Sequence, residues 1–229
     1  AALRDGLTET VAFQFHDAGG QSILNIDSDP STGAAGLVTP FQNAEWWLSE
    51  ATRVFTAEGK TVRVPWFVLN QGEADVSQAR GWWLAGANAY WAERRAQITR
   101  TTGQTAAPRL MVQQTGGYMQ NTTLNLHQCK LDQIDFVREN GGVLIGPLYP
   151  YKIDNSDDKG VHKTLAGYIS AYEVGAWAMA EVSAGRAWNL LPGTPTRSGN
   201  QITIPVSVRG DESLTTVSGV YTNYGGDPA

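Results

Sequence analysis

The chain has 229 residues, enough for one sizeable α/β domain and a small appendage, with 41% hydrophobic residues, 17% charged residues and a net charge of −5. No basic run is present, which argues against nucleic acid as a partner. No apolar stretch approaches the roughly 20 residues of a membrane span, no charged-then-apolar leader is visible, and the single cysteine, Cys129, leaves no intrachain disulfide to form.

The elements follow in chain order. Residues 11–15 form a short apolar run, expected as a strand, ending at a turn signal over 17–20. Residues 28–40 are rich in Gly, Ser and Pro and read as loop. The segment 41–59 places apolar residues at 41, 44, 47, 48, 51, 54 and 55, a helical period closed by Gly59. Residues 62–70, "VRVPWFVLN", predict a strand, with Pro65 suited to its beginning. A helix is expected over 76–100, a strand from 108 into the Gly turn at 116–117, and a helix over 124–140 stopped by Gly141 and Gly142. A strand over 142–150, a polar loop over 154–164 and a last helix over 165–185 complete the series.

Alternating strands and helices predict a parallel sheet with helices on both faces, an α/β fold of the three-layer α/β/α sandwich kind, flavodoxin-like in outline. The strands read as continuous apolar runs, which burial on both faces requires. Ligands of such sheets bind beyond the carboxyl ends of the strands. Three loops leave from those ends: 16–22, 70–75 and 154–162. Residues 1–191 are therefore read as the main domain. Residues 192–229 lose the helical period and carry short alternating runs between turn signals, expected as a C-terminal β extension or the start of an accessory module.

Eight tryptophans include two adjacent pairs, Trp46–Trp47 and Trp82–Trp83. Their helical setting favours packing in the core over a carbohydrate-stacking surface. Of the three histidines, His127 falls among the packing residues of a helix, and His16 ends the first strand, where a loop-stabilising role is favoured over a catalytic one. His162 stands in a polar loop behind Asp157 and Asp158. An acid three or four residues upstream can fold back to orient an imidazole, so His162 is either a catalytic base or a solvated loop residue. The stretch "QGEAD", 71–75, follows a strand directly. Gly72 permits a sharp turn or close approach, and Gln71 offers an amide to a developing oxyanion. Glu73 and Asp75 read individually as surface acids. No His/Cys cluster has metal-ligand spacing, the acidic "DNSDD" at 154–158 lacks the pattern of a calcium loop, and no Gly-Lys-Ser/Thr phosphate loop occurs. No metal or other cofactor is expected.

Taken together, "GGQSI" at 19–23, "NQGEAD" at 70–75 and "DKGVHKTLAGY" at 158–168 resemble the SGNH hydrolase superfamily, closest to its carbohydrate-esterase branch of sialate O-acetylesterases and acetylxylan esterases. The resemblance spans about residues 10–180. It implies an α/β/α fold and a Ser-His-Asp triad that removes acyl groups from sugars, here an acetylated glycan. It assigns His162 as base and Asp158 as its orienting acid, Gly20 (or Gly19) and Gln71 as oxyanion donors, and Glu73 as a supporting residue. "GGQSI" followed by "TPFQNAEWW" is more similar to the family's oxyanion block than to its nucleophile block. The nucleophile would then come from a segment upstream of Ala1 or from a second chain; Ser22 is the alternative nucleophile. In the family's pattern the acid stands three residues before the histidine, where this chain has Lys159; Asp158 is four before. The other function class is a non-catalytic glycan-binding or structural module on the same fold, of the kind found in phage tails and cell-surface proteins, which makes an extracellular or virion-associated setting the expectation.

Overall fold

The computed structural model describes residues 20–26, 40–116, 128–148, 151, 154, 162–188 and 194–205. The expected strand 11–15 and the residues His16, Gly19, His127, Asp157 and Asp158 lie outside them, as do the alternating runs beyond 205.

Helix α1, Pro40–Ala57, opens on a proline, whose missing N–H costs nothing in a first helical turn. It buries Phe41, Ala44 and Leu48, three residues on one face. Its end is a Schellman turn: Gly59, at φ 72°, lets Lys60 N–H reach the Phe55 carbonyl at 2.9 Å and its own N–H reach Thr56 at 2.9 Å. Helix α2, Trp82–Thr102, packs beneath α1 and buries Trp83, Ala87, Tyr90, Trp91 and Ile98. Helix α3, Gln128–Asn140, buries Cys129, Phe136 and Val137. Helix α4, Leu165–Ser183, begins at Thr164, whose side chain accepts the Gly167 N–H at 3.1 Å.

Strands β1 (Trp66–Leu69), β2 (Arg109–Gln113) and β3 (Val143–Ile145) form a parallel sheet in that order. Trp66 stands opposite Arg109, and Met111 opposite Val143. Helices α2 and α3 are the two crossovers. Successive side chains of a strand point to opposite faces, and the packing follows that alternation. Phe67, Leu69, Leu110, Val112 and Leu144 pack with α2, α3 and Ile23. Met111, Val143 and Ile145 pack with Val174, Ala178, Met179 and Val182 of α4 and with Trp66 and Trp188. The fold is mixed α/β around a parallel sheet, as the alternation of elements predicts. In the C-terminal segment, β4 (Thr196–Ser198) and β5 (Gln201–Thr203) pair as an exposed antiparallel hairpin.

The structure corrects several expectations. The strands are shorter than the apolar runs. At Val64 the chain is held by a side chain: Gln104 accepts from Val64 N–H at 2.8 Å and donates to the Val64 carbonyl at 3.2 Å, and pairing with β2 begins only at the Pro65 carbonyl, which accepts Arg109 N–H at 2.9 Å. The second helix starts at Trp82, not at 76. Residues 73–75 form a short 3-10 turn, and the α2 start is fixed from outside by Asp132 of α3, whose buried carboxylate accepts Gly81 N–H at 2.9 and 3.0 Å and Leu84 N–H at 3.3 Å. Arg80 pairs with the same carboxylate and with Asp135. Trp83 is core, but Trp46 and Trp47 are not: they stand 58% and 57% exposed, edge to face at 5.0 Å. The buried stripe of α1 runs through 41, 44 and 48, which turns both rings away from α2. Asp75 is not a surface acid; it is 1% exposed.

Candidate functional site at the carboxyl rim of the sheet

Loop 20–26 reaches the end of β1 through a carboxylate and a side-chain amide. Asp75 Oδ2 accepts the Ile23 backbone N–H at 2.8 Å and the Gln71 amide at 2.7 Å. The Gln71 Nε2 also donates to the Gln21 carbonyl at 3.0 Å, and its Oε1 accepts from the Trp83 indole at 2.5 Å. Gln71 thus ties loop 20–26, the 70–75 turn and the start of α2 into one polar clasp. Its geometry is local in origin: a strand end, then Gly72 at φ 149°, then a 3-10 turn that swings Asp75 back beneath Gln71. Ile23, fully buried, plugs the loop into the core against α2, where Gly86 leaves room for it. The second oxygen of Asp75 is buried with no hydrogen-bond partner among the described residues.

Gln133 of α3 performs the same service for the strand ends. Its Oε1 accepts Thr115 N–H at 2.9 Å and its Nε2 donates to the Gln71 carbonyl at 2.8 Å, so one side chain bridges the exits of β1 and β2. Gly72 is packed into this junction. A Cβ there would stand 2.7 Å from Gln133 Nε2 and 3.0 Å from Cys129 Sγ. Burial, reinforced by the Asp75 and Glu73 carboxylates, pushes the Cys129 thiol well above its ordinary range, which leaves it a packing group rather than a nucleophile. Lys130, half-buried beside it, is pulled below the usual lysine range by desolvation.

The residues singled out from the sequence fall as follows. Gly20 is exposed at φ 72°, with open space where a side chain would be. Ser22 is part-buried and caps the 3-10 turn Ile23–Asn25, its Oγ accepting from Leu24 N–H at 3.3 Å. Gln71 has both amide hydrogens engaged. Glu73 is part-buried in the 3-10 turn. His162 is exposed just before α4, its carbonyl accepting Asp154 N–H at 3.0 Å. Its direction relative to the sheet follows from α4. Near the helix C-terminus the Val182 carbonyl accepts from Arg109, the first residue of β2, at 3.1 Å, while Gly175 lies against Ile145, the last residue of β3. Helix α4 therefore runs against the strands, and its N-terminus stands toward the carboxyl rim, beyond the end of β3. No hydrogen bond joins His162 to Gly20 or Gln71 in this arrangement, and Asp158 lies outside the described residues. Asp75 and Gln133 are the rim residues that sequence reasoning missed. For the second, the one signal in the sequence that could have found it is the period of α3, which puts 132, 133, 136 and 137 on one buried face.

A cavity of about 310 Å³ lies elsewhere, between α1 and α2, lined by Phe41, Glu45, Glu93 and Arg100. Among the described residues no group of three His, Cys, Asp or Glu side chains could hold a metal ion, and no helix is long and apolar enough to cross a membrane. Comparison with protein-family models, curated proteins and solved structures found no match.

Proposed function

We propose that this chain is a serine-esterase-type hydrolase that removes O-acetyl groups from carbohydrate, on a three-layer α/β/α sandwich of SGNH-hydrolase type. The observation that carries the proposal is the Gln71–Asp75 clasp, which holds loop 20–26 against the 70–75 turn beyond the carboxyl end of β1. Open sheets of this kind bind ligands there.

In this mechanism a serine oxygen attacks the acetyl carbonyl carbon, and His162 takes the hydroxyl proton. Asp158 orients the imidazole. The Gly20 N–H donates to the tetrahedral oxyanion. The Gln71 hydrogen now directed at the Gln21 carbonyl can transfer to that oxyanion, because a charged acceptor outcompetes a neutral one; each such donor contributes about 3 kcal/mol to the transition state. Collapse expels the sugar oxygen, which His162 protonates, and water then releases acetate from the acyl-enzyme. The serine is supplied by a segment upstream of Ala1 or a second chain; Ser22, whose oxygen caps its own turn, is the alternative. The test is acetate release from acetylated xylo-oligosaccharide and p-nitrophenyl acetate, with fluorophosphonate labelling to locate the serine. His162→Ala is expected to abolish turnover. Turnover unchanged in that variant eliminates the assignment.

A second reading, a glycan-binding module without turnover, draws on the exposed Trp46–Trp47 pair. The exposed face of one indole of such an edge-to-face pair suits a pyranose ring. Binding of unacetylated oligosaccharide that Trp47→Ala removes, with no acetate released by any form of the chain, would favour it.

A further inference from the structure

Helix α4 carries two apolar seams. The inner one is small: Gly167, Ala171, Gly175 and Ala178 are buried toward the sheet, so the helix backbone lies close to β3. The outer one is large. Leu165, Ile169, Tyr172 and Ala176 recur at steps of four, three and four, the spacing of a helix that packs lengthwise on another helix. Leu165 is 78% exposed, Ile169 50% and Tyr172 55%. Tyr168 stacks on Tyr172 at 6.3 Å and 19°, which fixes the ring at the centre of the seam. Trp177, half exposed, borders it.

Charge is nearly absent. Glu173 and Glu181 are the only Asp, Glu, Lys, Arg or His among its nineteen residues, and Glu181 is bound by Arg186 through two contacts at 2.5 and 2.7 Å. A helix that lies on a lipid surface carries Lys and Arg on its polar face; α4 has none. Apart from Ser170 and Glu173, which stand exposed, the outer side is apolar, and a helix apolar over most of its surface is normally covered on both sides. The exposed side chains amount to about 500 Å² on one copy, at the upper end of what a monomer leaves uncovered. Two such faces together bury about 1,000 Å², the lower bound for a specific interface.

We infer that the outer face of α4 is a two-fold interface with a second copy of this chain, α4 packing on α4 with Tyr172 nearest the axis. The occupant is a helix because the seam has a helix–helix period, and the same chain supplies a matching seam, as closed two-fold contacts require. Large and small residues alternate on the face, Ile169 and Tyr172 beside Ala166, Ala176 and Ala180, so each copy offers ridges to the other's grooves. The modest area makes the dimer a weak one, with a dissociation constant in the micromolar range.

The test is sedimentation equilibrium of the 229-residue chain from about 1 to several hundred µM. The mass is expected to rise from monomer to dimer. Ile169→Glu and Tyr172→Lys, each at an exposed position and each checked for a native circular-dichroism melt, are expected to weaken association at least tenfold, while Trp46→Glu on α1 leaves it unchanged. A monomer at every concentration overturns the inference, as does a dimer that survives both α4 variants or is lost in Trp46→Glu. Flotation of a monomeric chain with phosphatidylcholine vesicles, abolished by Ile169→Glu, would assign the face to lipid instead and equally overturn it.

Discussion

The backbone N–H of Ile23 is bound by the carboxylate of Asp75, 52 residues away in sequence, at 2.8 Å inside the core. Together with the Gln71 bond to the Gln21 carbonyl, it makes loop 20–26 part of the sheet's carboxyl rim instead of an independent surface loop, and Ile23 is carried with it into the apolar cluster. Asp75→Ala removes the acceptor of two buried donors, Ile23 N–H and Gln71 Nε2. Bonds to a charged group are worth about 1.5–3 kcal/mol each, and the orphaned donors add their own desolvation cost. A loss of about 3–4 kcal/mol in urea unfolding is expected. Asp75→Asn can keep an acceptor for both donors at the Oδ2 position, but it weakens them by removing the charge and buries an amide N–H₂ at the position of the partnerless oxygen, and about half that loss is expected. A change below about 0.5 kcal/mol in Asp75→Ala would mean that the clasp does not hold the loop.

Gly72 is a site where no side chain fits. Its φ of 149° disfavours any L residue, and a Cβ would meet Gln133 and Cys129 at 2.7 and 3.0 Å. Gly72→Ala must move both or break the bridge between the β1 and β2 exits. The expected cost is about 2–4 kcal/mol, read as a lowered midpoint in chemical unfolding. Gln133→Ala, which removes the bridge but leaves the backbone unstrained, is expected to cost about 1–3 kcal/mol.

The order of elements was legible in the sequence because strand and helix periods are local properties. The last turn of α1 and the stop of α3 were equally legible, since Gly59 and Gly141–Gly142 mark them. The rim was not legible in the same way. Asp75 looks like a surface acid until Gly72 turns it inward, and the period of α3 places Asp132 on a buried face without showing that it caps α2 from another element. Trp46 and Trp47 misled for the opposite reason: adjacent residues on a helix lie 100° apart, so the pair cannot share the narrow stripe through 41, 44 and 48. Long-range hydrogen bonds leave no period for a sequence to display.

Arg94 is a buried cation with no carboxylate paired to it among the described residues. It is 3% exposed; its guanidinium lies 4.1 Å from the Phe41 ring centroid and 5.2 Å from that of Tyr90, and it donates to Gln97 Oε1 at 2.5 Å and to the Tyr90 hydroxyl at 3.1 Å. A planar, weakly hydrated cation tolerates that cage, whereas an ammonium does not. Arg94→Lys is expected to lose about 2–3 kcal/mol. Arg94→Met, which fills the space and removes the charge, is expected to stay within about 1 kcal/mol of the parent. The reverse order in thermal or urea unfolding would show that the charge itself, and not the stacking, stabilises the α1–α2 contact.

Cys129 gives the fold a pH dependence of known sign. Its thiol is raised above its ordinary value of 9.0, first by burial and then by Asp75 and Glu73. A raised group contributes stability that is complete below the unfolded thiol's pKa and is lost as pH rises above it. Between about pH 9 and 11 the unfolded chain ionises the thiol while the folded chain keeps it protonated, a slope of up to about 1.4 kcal/mol per pH unit. Cys129→Ala is expected to start less stable but to lack that component of the alkaline decline. Parallel profiles for the two proteins would contradict the buried, protonated thiol.

The most direct test of the central claim, that loop 20–26, the 70–75 turn and the residues before α4 form one ligand site at the carboxyl rim, is a backbone and side-chain amide NMR titration with acetylated xylo-oligosaccharide, which needs no turnover. The signals of Gly20, Ile23, the Gln71 side-chain amide and His162 are expected to shift together with one saturation curve. Shifts confined to the far side of the molecule, around Trp46 and Trp47, or no shift at the rim at saturating sugar, would contradict it.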